Sequence, residues 1–270
     1  MIANRPKAAL ITGASSGIGA VYARALAKQG QRELILVARR AERLAALAEE
    51  IESILTQRPT YAELKVHVIP CDISERENRR QLIAEVDSLG VEVDYLINNA
   101  GFGSLGRFLK SDLDWEEAMV RLNCIAPLEL CYHYLPLMTR ARRGVIINVA
   151  SVAAYQPMPF MATYGATKAF LLSLSVSLAS EVKDCGVTIL AQCPGPTKSE
   201  FFKVVGLTER MKYLPGMSAE QVVTEALDAA EKGKTIIVHG WINWLGTLLA
   251  KILPRTTAAS LIGLFLRKHT

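Results

Sequence analysis

The stretch Ala8-Ala9-Leu10-Ile11-Thr12-Gly13-Ala14-Ser15-Ser16-Gly17-Ile18-Gly19 decides the fold. Ala8–Thr12 is a short apolar run of the kind that forms a strand buried on both faces. The three glycines that follow let the chain turn tightly and approach a ligand with bare backbone. A helical pattern then runs to about Gly30, so unpaired N–H groups and the positive end of the helix dipole face whatever the turn encloses. That geometry suits a pyrophosphate. The same residues also satisfy G-x-S-x-G, a hydrolase elbow with Ser15 as nucleophile and His239 or His269 as base. An elbow belongs to a strand whose neighbours precede it, however, and residue 15 leaves no chain for them. Gly19 would also go unexplained.

Outward from this unit, short strand-like runs alternate with amphipathic stretches. The runs are Ala8–Thr12, Leu34–Val37, Leu64–Ile69, Val93–Ile97, Val145–Val149, Val187–Gln192 and Thr235–Val238. Between them, Ala41–Leu55, Glu75–Leu89, Leu113–Leu130 and Tyr164–Val182 carry helical periodicity. This order predicts an α/β fold: a doubly wound, Rossmann-type sheet of about seven parallel strands with helices on both faces. The domain is expected over residues 1–240, with an apolar helical tail over 241–270. Ligands of such sheets lie beyond the carboxyl ends of the strands.

Half of the 270 residues are hydrophobic and 21% are charged, enough for one substantial core. The five cysteines are odd in number and lack C-x-x-C spacing, which argues against both a disulfide framework and a zinc site. No metal site is expected. No apolar signal core precedes the first strand, so the expectation is a cytoplasmic protein. The net charge of +5 is uneven: Lys232–Thr270 holds six basic residues and no acidic one, leaving 25 basic against 26 acidic residues elsewhere. This is not the footprint of a nucleic-acid surface.

The second strand ends in Val37-Ala38-Arg39-Arg40. An acidic residue about 20 positions beyond the glycines would bind the ribose hydroxyls of NAD. Two guanidinium groups instead suit a 2′-phosphate, and a helix N-terminus is otherwise a poor place for two cations. NADP(H) is therefore the expected cofactor. Tyr164-Gly165-Ala166-Thr167-Lys168 puts a phenol and an ammonium on one helical face. A nearby ammonium favours phenolate, which equips the tyrosine for proton transfer. Ser151, directly after the fifth strand, is placed to hold a substrate oxygen beside it.

Together, Thr12-Gly13-x-x-x-Gly17-x-Gly19, Cys71-Asp72-Ile73, Asn98-Asn99-Ala100-Gly101, Asn123, Ser151, Tyr164-x-x-x-Lys168 and Pro194-Gly195 resemble the short-chain dehydrogenase/reductase family in its single-domain form. The resemblance runs from about Lys7 to Val238. It implies that Tyr164 is the general acid in reduction and the base in oxidation. It further implies that Lys168 lowers the tyrosine pKa and bonds the nicotinamide ribose. Ser151 would orient the carbonyl, and Asn123 would support a proton-relaying water. Gly13, Ser15, Ser16 and Ile18 would line the phosphates and ribose, and Asp72 and Ile73 the adenine. Asn98, Ala100 and Gly101 would pack along the cofactor, and Pro194, Gly195 and Thr197 would reach the carboxamide. The family often carries Thr where this chain has Ser199. Plainer roles remain open for three of these: Asn123 capping a helix break, Asn98 tying strands together, Asp72 as an N-cap.

The tail reads Trp241-Ile242-Asn243-Trp244-Leu245-Gly246-Thr247-Leu248-Leu249-Ala250-Lys251-Ile252-Leu253-Pro254, then a second apolar stretch over Ala258–Leu266. Both pieces are short of the ~20 residues that span a bilayer. Two readings stand: a lid or subunit contact, or a pair of helices lying on an anionic membrane surface. Either favours a lipophilic carbonyl or alcohol as substrate. The chain is read as an oxidoreductase and a homo-oligomer; a non-catalytic NADP(H)-binding regulator is the alternative on the same fold.

Overall fold

A computed structural model describes residues 5–55, 64–197, 200 and 216–267. Ser199, Lys268 and His269 lie outside the described residues. Within them, β1 (Lys7–Thr12), β2 (Glu33–Ala38), β3 (Lys65–Pro70), β4 (Glu92–Asn98), β5 (Gly144–Val149), β6 (Val187–Cys193) and β7 (Ile236–Val238) form one sheet. Its order is β3-β2-β1-β4-β5-β6-β7. Every adjacent pair is parallel. Each strand expected from the sequence is present, its ends moved by a residue or two.

Alternation along β1 shows how the two layers form. Ala9 and Ile11 face the helices α1 (Gly17–Lys28), α2 (Ala41–Leu55) and, further along the sheet, α7 (Ala219–Glu231). Ala8 and Leu10 face α3 (Arg76–Ser88), α5 (Ala126–Ala141) and α6 (Ala162–Glu181) on the other side. Small residues in β1 admit close helices, while Leu34, Leu36, Ile35 and Val37 of β2 fill the two layers alternately. Fully burying each such Leu or Ile contributes about 1.5–3 kcal/mol. Sheet order reverses between β1 and β4, so the switch point lies beyond their carboxyl ends.

The single helix expected over Leu113–Leu130 is broken. It runs as α4 (Leu113–Val120), a wide π-type turn at Arg121–Ile125, and then α5. Pro127, at the start of α5, has no N–H to give the carbonyl of Asn123 four residues back. Asn123 bridges the break: its Oδ1 accepts from Phe102 N at 3.2 Å, and its Nδ2 donates to Phe102 O at 2.9 Å. The tail is two helices, α8 (Trp241–Ile252) and α9 (Arg255–Arg267), separated at Pro254.

Candidate active site

A cleft of about 610 Å³ opens along the carboxyl ends of the strands and holds most of the residues singled out from the sequence. At one end lies the glycine turn. Gly13 has φ +68°, and a Cβ there would sit 2.7 Å from Asn99 Nδ2; one on Gly19 would sit 2.3 Å from the Gly13 carbonyl. Glycine is therefore required at both positions, by conformation in one and by contact in the other. Thr12, at the end of β1, ties this turn to β4, accepting from Asn99 N and Ala100 N at 3.0 and 3.1 Å. Gly13, Ser15, Ser16 and Ile18 line the cleft. The N-cap of α1, Ser16, makes no side-chain cap bond, and its first turn has no acidic residue. The helix end thus presents amide hydrogens to an anion.

Arg39 and Arg40 also line the cleft, close to Asp72 and Ile73. Arg40 donates to Ser15 Oγ and Ser16 Oγ, each at 2.9 Å, and Arg39 stands 3.7 Å from the Asp72 carboxylate. Glu200, which sequence reasoning passed over, completes the cluster: its carboxylate meets Arg40 at 2.9 Å and Arg43 at 2.6 Å. Arg43 first, then Arg40, hold that carboxyl down at about 2. A basic, hydroxyl-lined cradle with a side-chain carboxylate in it fits a phosphate group chemically. Asp72 does not cap a helix. It accepts from Ser74 N and Oγ at 3.0 and 2.7 Å, and the N-cap of α3 is Glu75.

The adjacent asparagines at the end of β4, Asn98 within the strand and Asn99 just after it, part company. Asn98 was expected along the cofactor but is buried; its Nδ2 donates to Asn148 Oδ1 on β5 at 2.8 Å, which ties the strands together, and it does not line the cleft. Asn99 lines it instead, donating to the carbonyls of Thr12 and Gly13 at 2.9 and 3.1 Å. Ala100 and Gly101 follow it along the wall, and Pro194, Gly195 and Thr197 face them from the end of β6. Asn123 stands behind the wall, beside Gly101. It is 1% exposed, and besides Phe102 it bonds Thr167 Oγ1 at 3.0 Å, so it holds the wall without lining the cleft.

Between these walls lie Ser151, Tyr164 and Lys168. Ser151 follows β5, where its Oγ accepts from Ala153 N at 3.1 Å and caps the short turn Val152–Tyr155. Tyr164 and Lys168 share one face of the first turns of α6, the ammonium 5.9 Å from the ring centroid. Burial pushes the Tyr164 phenol up to about 12, and its hydrogen bond with Ser151 opposes the rise. Burial also pulls the Lys168 ammonium down to about 8, against the raising influence of the Cys124 and Cys193 thiols. Lys168 Nζ donates to the Val149 carbonyl at 2.6 Å. Within the protein alone, desolvation is the largest influence on the phenol. A buried phenol bonded to a serine, beside a buried amine, is equipped to donate a proton to a substrate oxygen.

Beyond Tyr164 the cleft turns apolar. Met158, Met161, Phe102 and, from α9, Ile262, Phe265 and Leu266 line it. Leu266 is 4% exposed and packs in one cluster with Tyr164, Met161, Met119 and Ala153. The rival base is not here: His239 is fully buried, held by Glu225 at 2.7 Å and Gln192 at 3.3 Å, away from the cleft lining.

A parallel seven-stranded sheet with this cleft at its switch point defines an oxidoreductase of the dinucleotide-binding class, and comparison with known proteins agrees. Residues 7–210 match the family model for short chain dehydrogenases, and the chain belongs to the short-chain dehydrogenase/reductase family, oxidoreductases acting on CH–OH and C=O groups. It is 35% identical over 195 residues to serine 3-dehydrogenase of Rhizobium radiobacter, covering 71% of this chain and 72% of that one. Among solved structures it is similar to a short-chain dehydrogenase from Sphingobium yanoikuyae in complex with NADPH. There the TM-score is 0.78 at 30% identity, over 92% of this chain and 94% of the other. A bulky-bulky ketone specific alcohol dehydrogenase from Comamonas testosteroni gives a TM-score of 0.75 at 30% identity, over 92% and 93%.

Proposed function

We propose that the chain moves a hydride between NADP(H) and a lipophilic carbonyl or alcohol, with Tyr164 as the proton donor or acceptor. The observation that carries this reading is the continuity of one cleft. It joins the anion-binding turn and the Arg40 cradle to the Ser151–Tyr164–Lys168 cluster, and that cluster to an apolar chamber. The glycine turn and α1 would hold the pyrophosphate; Arg39 and Arg40, with Ser15 and Ser16, would hold a 2′-phosphate in place of the Glu200 carboxylate. The bound nicotinamide supplies or accepts the hydride. The protein does the rest. In reduction Ser151 donates to the substrate oxygen, the Tyr164 phenol gives that oxygen its proton, and the Lys168 ammonium stabilises the phenolate that remains. Oxidation runs the same transfer backwards.

The similar Sphingobium enzyme is described in complex with NADPH, which supports the choice of cofactor. The Comamonas enzyme is described as specific for bulky-bulky ketones, and the Met158, Met161, Ile262 and Leu266 lining supports that class here over a small polar alcohol such as serine. Cytoplasmic location and assembly with a second copy are part of the same proposal; exposed Leu128, Tyr132 and Leu137 on α5 supply apolar surface for the latter. The test is direct. Purified protein should bind NADPH more tightly than NADH and oxidise it when given bulky apolar ketones. Binding without turnover across a broad ketone panel would reject the catalytic reading, and preference for NADH would reject the cofactor.

A further inference from the structure

Helix α8 is built inside out. In a surface helix the apolar stripe faces the core and the polar face meets water. Here the one buried residue is Thr247, 4% exposed, its hydroxyl turned back to the Trp244 carbonyl at 2.7 Å. On the same inward side Asn243 donates to the His239 carbonyl at 2.7 Å. The outward arc carries Trp241, Ile242, Trp244, Leu245, Leu249 and Ile252, exposed by 45% to 79%. The apolar face continues past Pro254 onto α9, where Leu264 and Phe265 are 63% and 51% exposed. Phe265 also lines the cleft, so this outer face runs into the mouth of the apolar chamber.

The charges around the face choose its occupant. Lys251 and Arg255 are exposed along the two helices, which carry no acidic residue in their sequence. A second copy docked face to face about a two-fold axis would bring this acid-free pair of helices against another like it. An anionic bilayer pairs both cations and takes up the apolar arc, with tryptophans at headgroup depth. At 12 and 13 residues the helices are too short to span and are the right form to lie in the interface. Among the described residues no helix is long and apolar enough to cross a membrane. We infer that α8 and α9 dock the protein on an anionic lipid surface, with the cleft mouth at Phe265 turned toward the lipid. This concerns where the protein sits and stands apart from the hydride chemistry proposed above.

Co-sedimentation of the full chain tests it, using vesicles of phosphatidylcholine alone or mixed with phosphatidylglycerol. The protein should pellet with the mixed vesicles, and the bound fraction should fall as salt is raised. Trp241→Ser with Trp244→Ser should abolish pelleting, yet leave thermal stability and turnover of a water-soluble ketone unchanged, because both side chains are exposed. Lys251→Gln and Arg255→Gln should each weaken binding about fivefold, the equivalent of ~1 kcal/mol per cation at an anionic surface. Protein that stays in the supernatant at every lipid composition overturns the inference, as does equal pelleting with neutral and anionic vesicles. So does a wild-type dimer that the tryptophan pair dissociates in light scattering, which would assign the face to a subunit contact.

Discussion

The two ends of the cleft are made in different ways. The polar end is built from turns that directly follow strands: Gly13–Ile18 after β1, Arg39–Arg40 after β2, Cys71–Ile73 after β3, and Asn99–Gly101 after β4. Its ligand-facing groups are backbone amides and charges fixed by local chain geometry. The apolar end is assembled from side chains far apart in sequence, Phe102, Met158, Met161 and then Ile262–Leu266 from α9. Where backbone makes the site, a local pattern specifies it; where packing makes it, only the fold does. Tyr164 stands between the two ends, belonging to α6 and packing against Leu266.

The sharpest test falls on that junction. Tyr164→Phe should remove hydride transfer by the ~10²–10⁴-fold of general acid–base catalysis, with NADPH affinity nearly unchanged, in a stopped-flow and binding pair of measurements. If kcat survives, the two ends are joined by something other than this phenol.

Next comes the polar end by itself. Arg39→Ala with Arg40→Ala removes charge-assisted bonds worth about 1.5–3 kcal/mol, a roughly ten- to hundredfold loss in NADPH affinity. NADH binding, by titration, should change far less. Equal losses would make the arginines partners of Asp72 and Glu200 rather than of a cofactor. The apolar end answers to a smaller change. Ile262→Ala should lower kcat/KM roughly tenfold for a bulky apolar ketone and little for a small one, as loss of methylenes from a pocket does. NADPH affinity should stay put. A uniform loss for both ketones would mean that α9 supports the fold and does not shape the chamber.

How much of this was legible follows the same division. The strands could be read because parallel strands buried on both faces leave unbroken apolar runs, as in Leu34-Ile35-Leu36-Val37. The glycine turn, Ser151, Tyr164 and Lys168 were readable because their spacing is set by one strand or one helical turn. Asn98 and Asn99 could not be told apart: which of two adjacent residues faces the cleft depends on where β4 ends. The π-type turn at Arg121–Ile125 was hidden by continuing helical periodicity, although Pro127 was a usable signal. Glu200 reaches Arg40 from 160 residues away, beyond any local pattern. The tail's periodicity was correctly read as helical, but the sequence does not say which face meets the core. In α8 it is the face bearing Thr247.

The pH dependence of the two directions gives the gentlest effect and bears on the junction again. With the Lys168 ammonium drawn down to about 8 and the Tyr164 phenol pushed up to about 12, both are protonated at neutral pH. Reduction needs both forms: the phenol to give the proton and the ammonium to stabilise the phenolate left behind. Its kcat/KM should therefore be flat below about pH 7 and fall through pH 8 as Lys168 deprotonates, about fourfold between pH 7 and pH 8.5. Oxidation needs phenolate, which becomes more abundant as pH rises toward the tyrosine pKa, so its rate should climb over the same interval. Opposite slopes measured on one ketone–alcohol pair would place the proton on these two groups. A reduction rate that rises above pH 8 would show that Lys168 titrates elsewhere or takes no part. Lys168→Met should then separate the cases. If the lysine sets the falling limb, the variant will be slow at neutral pH and its reduction profile will lose the break near 8.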